Sequence, residues 1–422
     1  MTHPPGSARR RWPLSRALRS AAKQFAGVRN LQRPATANSP AFELAYVRTG
    51  PFAQRPPALV IPGGPGLGSV LPYRGLRAIA ARRGLDLIMV EHRGVGLSRT
   101  DVTGKDLPQT AMRITEVLGD LAAVLDHEGI PRAHIVGSSY GSYLASSFGA
   151  GYPDRVAGML LDSALQSAED IGIERAAVRG RLWDAPGEAA QLVRALADAG
   201  IDQRILLDVS RAAFELGGDA LLIPLLRHRL RRRRSWAWRI LESYATRDSS
   251  LIRVPGIYEF DIVGAIGFRE LGYGGVPDNL PLDPALTYAP LASRFPAFER
   301  EPFDLLGEAR GFDWPLVLLS GSRDLRTPPE IAARMAAAAA HAVIVPLENG
   351  HSALDTHPIA LLNALDRLVR GEQGLLPAIA PQLDRLPHRG IVARAPDVLI
   401  SLLGGYSETA AASDALGVHV QQ

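Results

Sequence analysis

The sequence predicts an α/β fold: a mostly parallel central sheet flanked by helices, with a helical lid inserted between two blocks of the core. Three observations carry this. Short apolar runs bounded by turn residues alternate with longer stretches of helical spacing, which is the rhythm of βα units. The rhythm stops between residues 164 and 310 and then resumes. The polar residues with the richest chemistry stand just after apolar runs, at the carboxyl ends of the expected strands, where open α/β sheets bind ligands.

Composition agrees with a folded globular protein. A chain of 422 residues with 46% hydrophobic and 21% charged residues can bury a large core, and it fits neither a wholly disordered chain nor a multi-span membrane protein. Lys and Arg number 47 against 43 Asp and Glu, a net charge of +4, too small a balance to call for a nucleic-acid partner. With no cysteine, disulfides, thiolate metal sites and a cysteine nucleophile are excluded. No metal or organic cofactor is implied.

Residues 1–40 are rich in Pro, Ala, Ser and Arg and read as a basic, flexible arm. Arg16, Arg19 and Lys23 interrupt what would be the apolar segment of a signal peptide, and no clean hydrophobic stretch follows Arg9-Arg10-Arg11. The expectation is a cytoplasmic protein without stable membrane insertion.

Strands are expected at Glu43 to Arg48, Ala58 to Ile61, Asp86 to Glu91, His134 to Val136, Gly158 to Leu161, Leu316 to Ser320 and Val343 to Leu347. Ala111 to His127 places Ile114, Val117, Leu118, Leu121, Val124 and Leu125 at helical spacing. Helices are also expected after Ser139 and over Pro329 to Ala339. The core is thus expected at 41–163 and 311–390, the lid at 164–310, and a C-terminal tail at 391–422. Pro377 to Pro387 reads as turn-rich, and Val398 to Leu403 as a short apolar turn or strand.

Gly137-Ser138-Ser139-Tyr140-Gly141 follows the apolar run Ala133-His134-Ile135-Val136 and precedes a helical stretch. Glycines two positions either side of Ser139 allow a turn tight enough to project its hydroxyl from the strand end, with a helix N-terminus behind it. Only Ser139 has that spacing; Ser138 and Ser142 do not. Alone, the pattern also fits a helix-capping turn.

A serine nucleophile needs a base and a group to orient that base. Asp324 follows the strand Leu316 to Ser320, and His351 follows Val343 to Leu347. The order Ser, Asp, His is that of the doubly wound version of this chemistry. Asp162 competes as the acid, and Asp324 can instead be read as an Asx-turn residue before Pro328. His92 and His357 compete as the base, but His351 alone follows the last apolar strand behind a glycine. Pro62-Gly63-Gly64-Pro65-Gly66 follows the strand Ala58 to Ile61 and offers the amide of Gly64, with that of Tyr140, to a developing oxyanion. The plain alternative is a Gly/Pro turn.

Taken in order, Pro62-Gly63-Gly64-Pro65-Gly66, Glu91-His92-Arg93-Gly94-Val95-Gly96-Leu97-Ser98, Gly137-Ser138-Ser139-Tyr140-Gly141-Ser142, Gly321-Ser322-Arg323-Asp324 and Gly350-His351 resemble the α/β-hydrolase fold peptidases, the proline iminopeptidases and tripeptidyl aminopeptidases. The resemblance covers roughly residues 41 to 370. It implies Ser139 as nucleophile, His351 as base, Asp324 as its orienter, and Gly64 with Tyr140 as oxyanion hole. Glu91-His92 stands where the iminopeptidases usually show Asp-Gln, and Pro62 replaces their histidine. The secreted members' signal peptides and cysteines are not matched, so their extracellular role does not carry over.

Exopeptidases of this kind bind the substrate's free α-amine with lid carboxylates, because a buried ammonium needs an anion. Glu259, Asp261 and Glu270 are the candidates; each also reads as an ordinary salt-bridged helix residue. The run Arg227 to Arg234 with Trp236 and Trp238 reads as a solvated lid helix, a surface for nucleic acid or membrane, or a means of steering acidic substrates. The functional expectation is a serine aminopeptidase that takes small peptides. The alternatives are an esterase or lactonase on the same core, and a non-catalytic binding protein that keeps the fold.

Overall fold

The computed structural model describes residues 27–51, 55–231, 236–245 and 253–388, together with residues 22 and 24. The basic stretch through residue 21, Arg232 to Arg234, and the tail with Val398 to Leu403 lie outside the described residues.

Eight strands form one sheet: β1 (Val28–Arg33), β2 (Phe42–Thr49), β3 (Ala58–Ile61), β4 (Leu87–Glu91), β5 (Ala133–Ser138), β6 (Val156–Asp162), β7 (Leu316–Gly321) and β8 (Ala342–Leu347). Their order across the sheet is β1-β2-β4-β3-β5-β6-β7-β8. β1 to β2 and β2 to β4 pair antiparallel, and every later pair is parallel. The central strands β3 to β7 are buried at every position except the half-buried Ala157, as strands covered by helices on both faces must be. One face packs on the helices Ile114–His127 and Tyr140–Gly151, the other on Arg74–Arg82 and Pro358–Val369.

Two stretches differ from the sequence expectation. Residues 28–33, placed in a flexible arm by their composition, form the edge strand β1. Val-Arg-Asn-Leu-Gln-Arg lacks a buried alternating pattern because an edge strand keeps much of its side-chain surface in water. Long-range ion pairs fix it instead: Arg29 Nη1 lies 2.7 Å from Glu128 Oε2, and Arg33 Nε lies 2.9 Å from Asp120 Oδ1. The turn-rich Pro377 to Pro387 overlaps a helix, Leu376–Asp384. Pro377 falls in its first turn, where no N–H is needed, and Leu376, Ala380 and Leu383 bury one face against the core.

Between β6 and β7 no described residue belongs to a named strand; helices Ile171–Leu182, Glu188–Asp198, Gln203–Arg231, Trp236–Ala245 and Phe260–Glu270 fill the segment. The first four share a separate apolar cluster built on Leu206, Leu207, Leu225, Trp238 and Leu241. Gln203–Arg231 bends at Gly218 (φ 57, ψ −153). This is the lid. No described helix is long and apolar enough to cross a membrane.

Candidate active site

The ends of β5, β7 and β8 bring three predicted side chains together. Ser139 sits between β5 and the helix Tyr140–Gly151 at φ 54, ψ −124, a backbone conformation that costs energy outside glycine. The surroundings impose it. A Cβ on Gly141 would collide with the carbonyl oxygens of Ile61 and Pro62, and one on Gly137 with the carbonyl of Gly141, so both flanking positions require glycine.

Ser139 Oγ lies 2.9 Å from His351 Nε2. The other ring nitrogen, Nδ1, lies 3.0 Å and 3.1 Å from the two carboxylate oxygens of Asp324. Asp324 is itself fixed by the amides of Arg326 and Thr327, each donating at 2.9 Å, and by the Thr327 hydroxyl at 2.8 Å. Burial alone would raise the Asp324 carboxyl. The adjacent His351 and the Thr327 donors outweigh burial and hold it at about 2. For His351 burial likewise disfavours the charged ring, but the neighbouring Asp324 prevails and its pKa stands above the ordinary histidine value. Such a chain can pass a proton from a hydroxyl to a ring whose positive charge is already compensated.

The competing acid has another occupation. Asp162 is buried and accepts from the amides of Ala353 and Leu354, each at 2.9 Å, and from the Ser138 hydroxyl at 2.7 Å. It thereby ties the loop after His351 to the turn carrying Ser139, and burial pushes its carboxyl up to about 6. Ser138 Oγ is buried and committed to Asp162 and to Ser352. His92 stacks obliquely near Tyr140 and bonds the Arg93 carbonyl at 3.0 Å, while His357 bonds the Leu383 carbonyl at 3.0 Å and stacks on His388. Burial lowers both to about 4. Neither touches Ser139.

Gly63 and Gly64 line the crevice beside Ser139. Gly64 has φ +128, and a Cβ there would come within 3.0 Å of the Leu67 amide nitrogen. Tyr140 is the first residue of its helix, so its N–H has no intrahelical acceptor. Gly64 shares the crevice lining with Ser139, and Tyr140 follows Ser139 directly in the chain; the glycine nearest the hydroxyl is Gly63, where a Cβ would stand 3.2 Å from Ser139 Cβ and 3.8 Å from its Oγ.

The lid carboxylates selected from sequence are elsewhere. None of Glu259, Asp261 and Glu270 lines the crevice. Glu259 accepts from the Gly96 amide, Asp261 takes two bonds from Arg99 at 2.7 and 2.8 Å, and Glu270 accepts from the Ile114 amide at 2.7 Å. They seat the helix Phe260–Glu270 on the core because their partners there are buried donors that need acceptors.

The crevice encloses about 440 Å³ and is lined instead by Glu174 and Glu215, which no local pattern in the sequence singles out. Arg211 donates to Glu174 at 2.7 Å and to Asp208 at 3.1 Å, and Arg326 donates to Glu215 at 3.2 Å. Burial pushes Glu174 up to about 7. The facing wall is apolar and aromatic, with Leu67, Leu165, Tyr258, Leu271, Tyr273 and Tyr288.

Residues 56–358 match the model of the α/β hydrolase fold family. A proline iminopeptidase of Lactobacillus helveticus is 30% identical over 128 residues, which is 30% of this chain and 42% of that protein. Epoxide hydrolase B of Mycobacterium tuberculosis is 36% identical over 80 residues, 19% of this chain and 21% of that protein. The matched regions thus span less than half the length of these curated relatives. Among solved structures, the esterase RhEst1 from Rhodococcus sp. ECU1013 is 18% identical with a TM-score of 0.46, covering 82% of this chain and 98% of that one. On the sheet order and the extent of the family match, the chain belongs to the α/β hydrolase fold family.

Proposed function

We propose that the protein is a serine hydrolase that cleaves small peptides near a free N-terminus through an acyl-enzyme. The observation that carries the reading is the continuous chain from Ser139 Oγ through the His351 ring to Asp324. Ser139 Oγ attacks the substrate carbonyl carbon as His351 Nε2 takes its proton. The oxyanion accepts from the amides of Gly64 and Tyr140. His351 then gives the proton to the leaving amine as the carbon–nitrogen bond breaks, and Ser139 keeps the acyl group. A water, deprotonated by His351, attacks the ester, and the returning proton regenerates the Ser139 hydroxyl.

The peptide preference rests on the lining. Glu174 and Glu215 line the crevice with His351, as does Asp355, against Arg211 and Arg326, and Arg211 also has Asp208 outside the lining. An incoming ammonium meets an anion without stranding the arginines, whereas a blocked amine offers these carboxylates nothing. The partial likeness to a proline iminopeptidase points the same way. The broad apolar wall favours a second reading, an esterase whose acyl chain lies on Tyr258, Tyr273 and Tyr288.

One screen separates these. Wild type and Ser139→Ala are assayed on aminoacyl and tripeptidyl amides, each with a free and an acetylated N-terminus, and on short acyl esters. Ser139-dependent turnover confined to free-amine amides is the expected result. Ser139-dependent ester turnover without peptide turnover selects the esterase, and no turnover with no fluorophosphonate labelling selects a binding protein on this scaffold.

A further inference from the structure

Two packed lid helices, the end of Gln203–Arg231 and Trp236–Ala245, turn apolar faces inward through Leu222, Leu225, Leu226, Trp238 and Leu241. Their outward faces are not simply polar. At helical spacing they present Arg227, Leu230 and Arg231 on the first helix and Trp236, Arg239 and Ile240 on the second. Trp236 is 70% exposed, Ile240 48% and Leu230 44%. Single exposed apolar residues are ordinary, but these three cluster at the end of one helix and the start of the next.

The exposed charges of these two outward faces, Arg227, Arg231 and Arg239, are positive, with Glu188 paired to Arg227 and Glu242 half-buried on the second helix. The guanidinium of Arg239 stands over the Trp236 ring, 5.2 Å from its centroid. Among the described residues no carboxylate lies within ion-pair distance of Arg231 or Arg239, while Arg227 is paired with Glu188 at 2.6 Å. Trp with aliphatic neighbours and interleaved arginines is the composition of helices that lie in a lipid headgroup layer, the rings and aliphatic tips entering the acyl boundary and the guanidinium groups meeting phosphate. A nucleic acid would use the arginines and the indole but leave Ile240 and Leu230 without a function.

We infer that this outward lid face, centred on Trp236 and Ile240 with Arg231 and Arg239, docks the protein on an anionic phospholipid surface. The same two helices supply Arg211, Glu215 and Tyr244 to the crevice wall. Adsorption would therefore hold the helices that form the wall of the crevice at the membrane, with no described helix long and apolar enough to cross it.

The test is co-sedimentation of the full chain with vesicles of phosphatidylcholine alone and of phosphatidylcholine with one part in three phosphatidylglycerol. Binding to the anionic vesicles, weak binding to the neutral ones and a steep loss with salt are expected. The double variant Arg231→Gln/Arg239→Gln should bind about 25-fold more weakly, roughly fivefold for each arginine near the surface. Trp236→Ser/Ile240→Ser should lose about tenfold or more through its apolar contact. Thermal melting and turnover of a soluble substrate should stay at wild-type level in both. Should either pair disturb folding, a blue shift of tryptophan emission on anionic vesicles that disappears in Trp236→Phe gives the same answer. Three results overturn the inference: equal binding to neutral vesicles, undiminished binding by both double variants, or an RNA duplex held more tightly than the vesicles through the same arginines.

Discussion

The lid residue Glu215 lies directly against Gly350, the residue before His351: a Cβ built on Gly350 would stand 2.7 Å from Glu215 Cβ and equally close to its carbonyl carbon. The lid and the histidine loop are therefore in backbone contact, with no room for a side chain between them. Gly350→Ala should displace the loop, lowering kcat/KM about tenfold or more and stability by about 1–3 kcal/mol. Wild-type fluorophosphonate labelling and an unchanged denaturation midpoint in this variant would contradict the contact.

Asp324 holds His351 in place and raises its pKa. The base must be neutral to act, so kcat/KM should fall with decreasing pH through a midpoint above the ordinary histidine value. Asp324→Asn should cut kcat by about a thousandfold or more and move what remains of that acid limb downward. A limb that does not move in the variant would show that another group titrates.

Asp162 serves structure in this account. Asp162→Ala strands the buried amides of Ala353 and Leu354, at about 1–3 kcal/mol for each group left unsatisfied, while the Ser138 hydroxyl keeps Ser352 as its partner. The folded pKa of Asp162, about 6, is above the ordinary aspartate value, so its stabilisation is full below the unfolded value and is lost as pH rises through about 6. Asp162→Asn should accordingly gain about 2–3 kcal/mol relative to wild type between about pH 4 and about pH 7. Urea denaturation at the two pH values reads this, and a constant difference would remove the raised carboxyl from the account.

Glu174 and Glu215 should decide amine recognition. Glu174→Gln and Glu215→Gln should each raise KM for free-amine peptides about tenfold or more, the worth of a charge-assisted hydrogen bond, with little effect on acetylated ones. Because burial places Glu174 at about 7, KM for free-amine peptides should fall as pH rises through that value. The fall should vanish in Glu174→Gln. Equal losses on free and acetylated substrates would make these carboxylates lid supports only.

What was legible in the sequence is what local chemistry encodes. Each of β3 to β8 is announced by a short apolar run, and the serine, aspartate and histidine beyond β5, β7 and β8 are Ser139, Asp324 and His351, which the structure brings together. β1 was hidden because its stability comes from Glu128 and Asp120, far along the chain. The lid's contribution to the crevice was hidden for a related reason. Which of its carboxylates faces the crevice depends on partners 162 residues away for Asp261 with Arg99 and 156 for Glu270 with Ile114, and no periodicity within a lid helix records them. Glu174 and Glu215 line the crevice through the same long-range packing.

Whether Ser139 is an activated nucleophile is read from intact-mass and peptide-mapping analysis after reaction with a fluorophosphonate. One adduct per chain is expected, on Ser139, formed faster as pH rises through the His351 titration and absent from Ser139→Ala. No adduct on the folded wild-type protein, or an adduct that persists in Ser139→Ala, would contradict it.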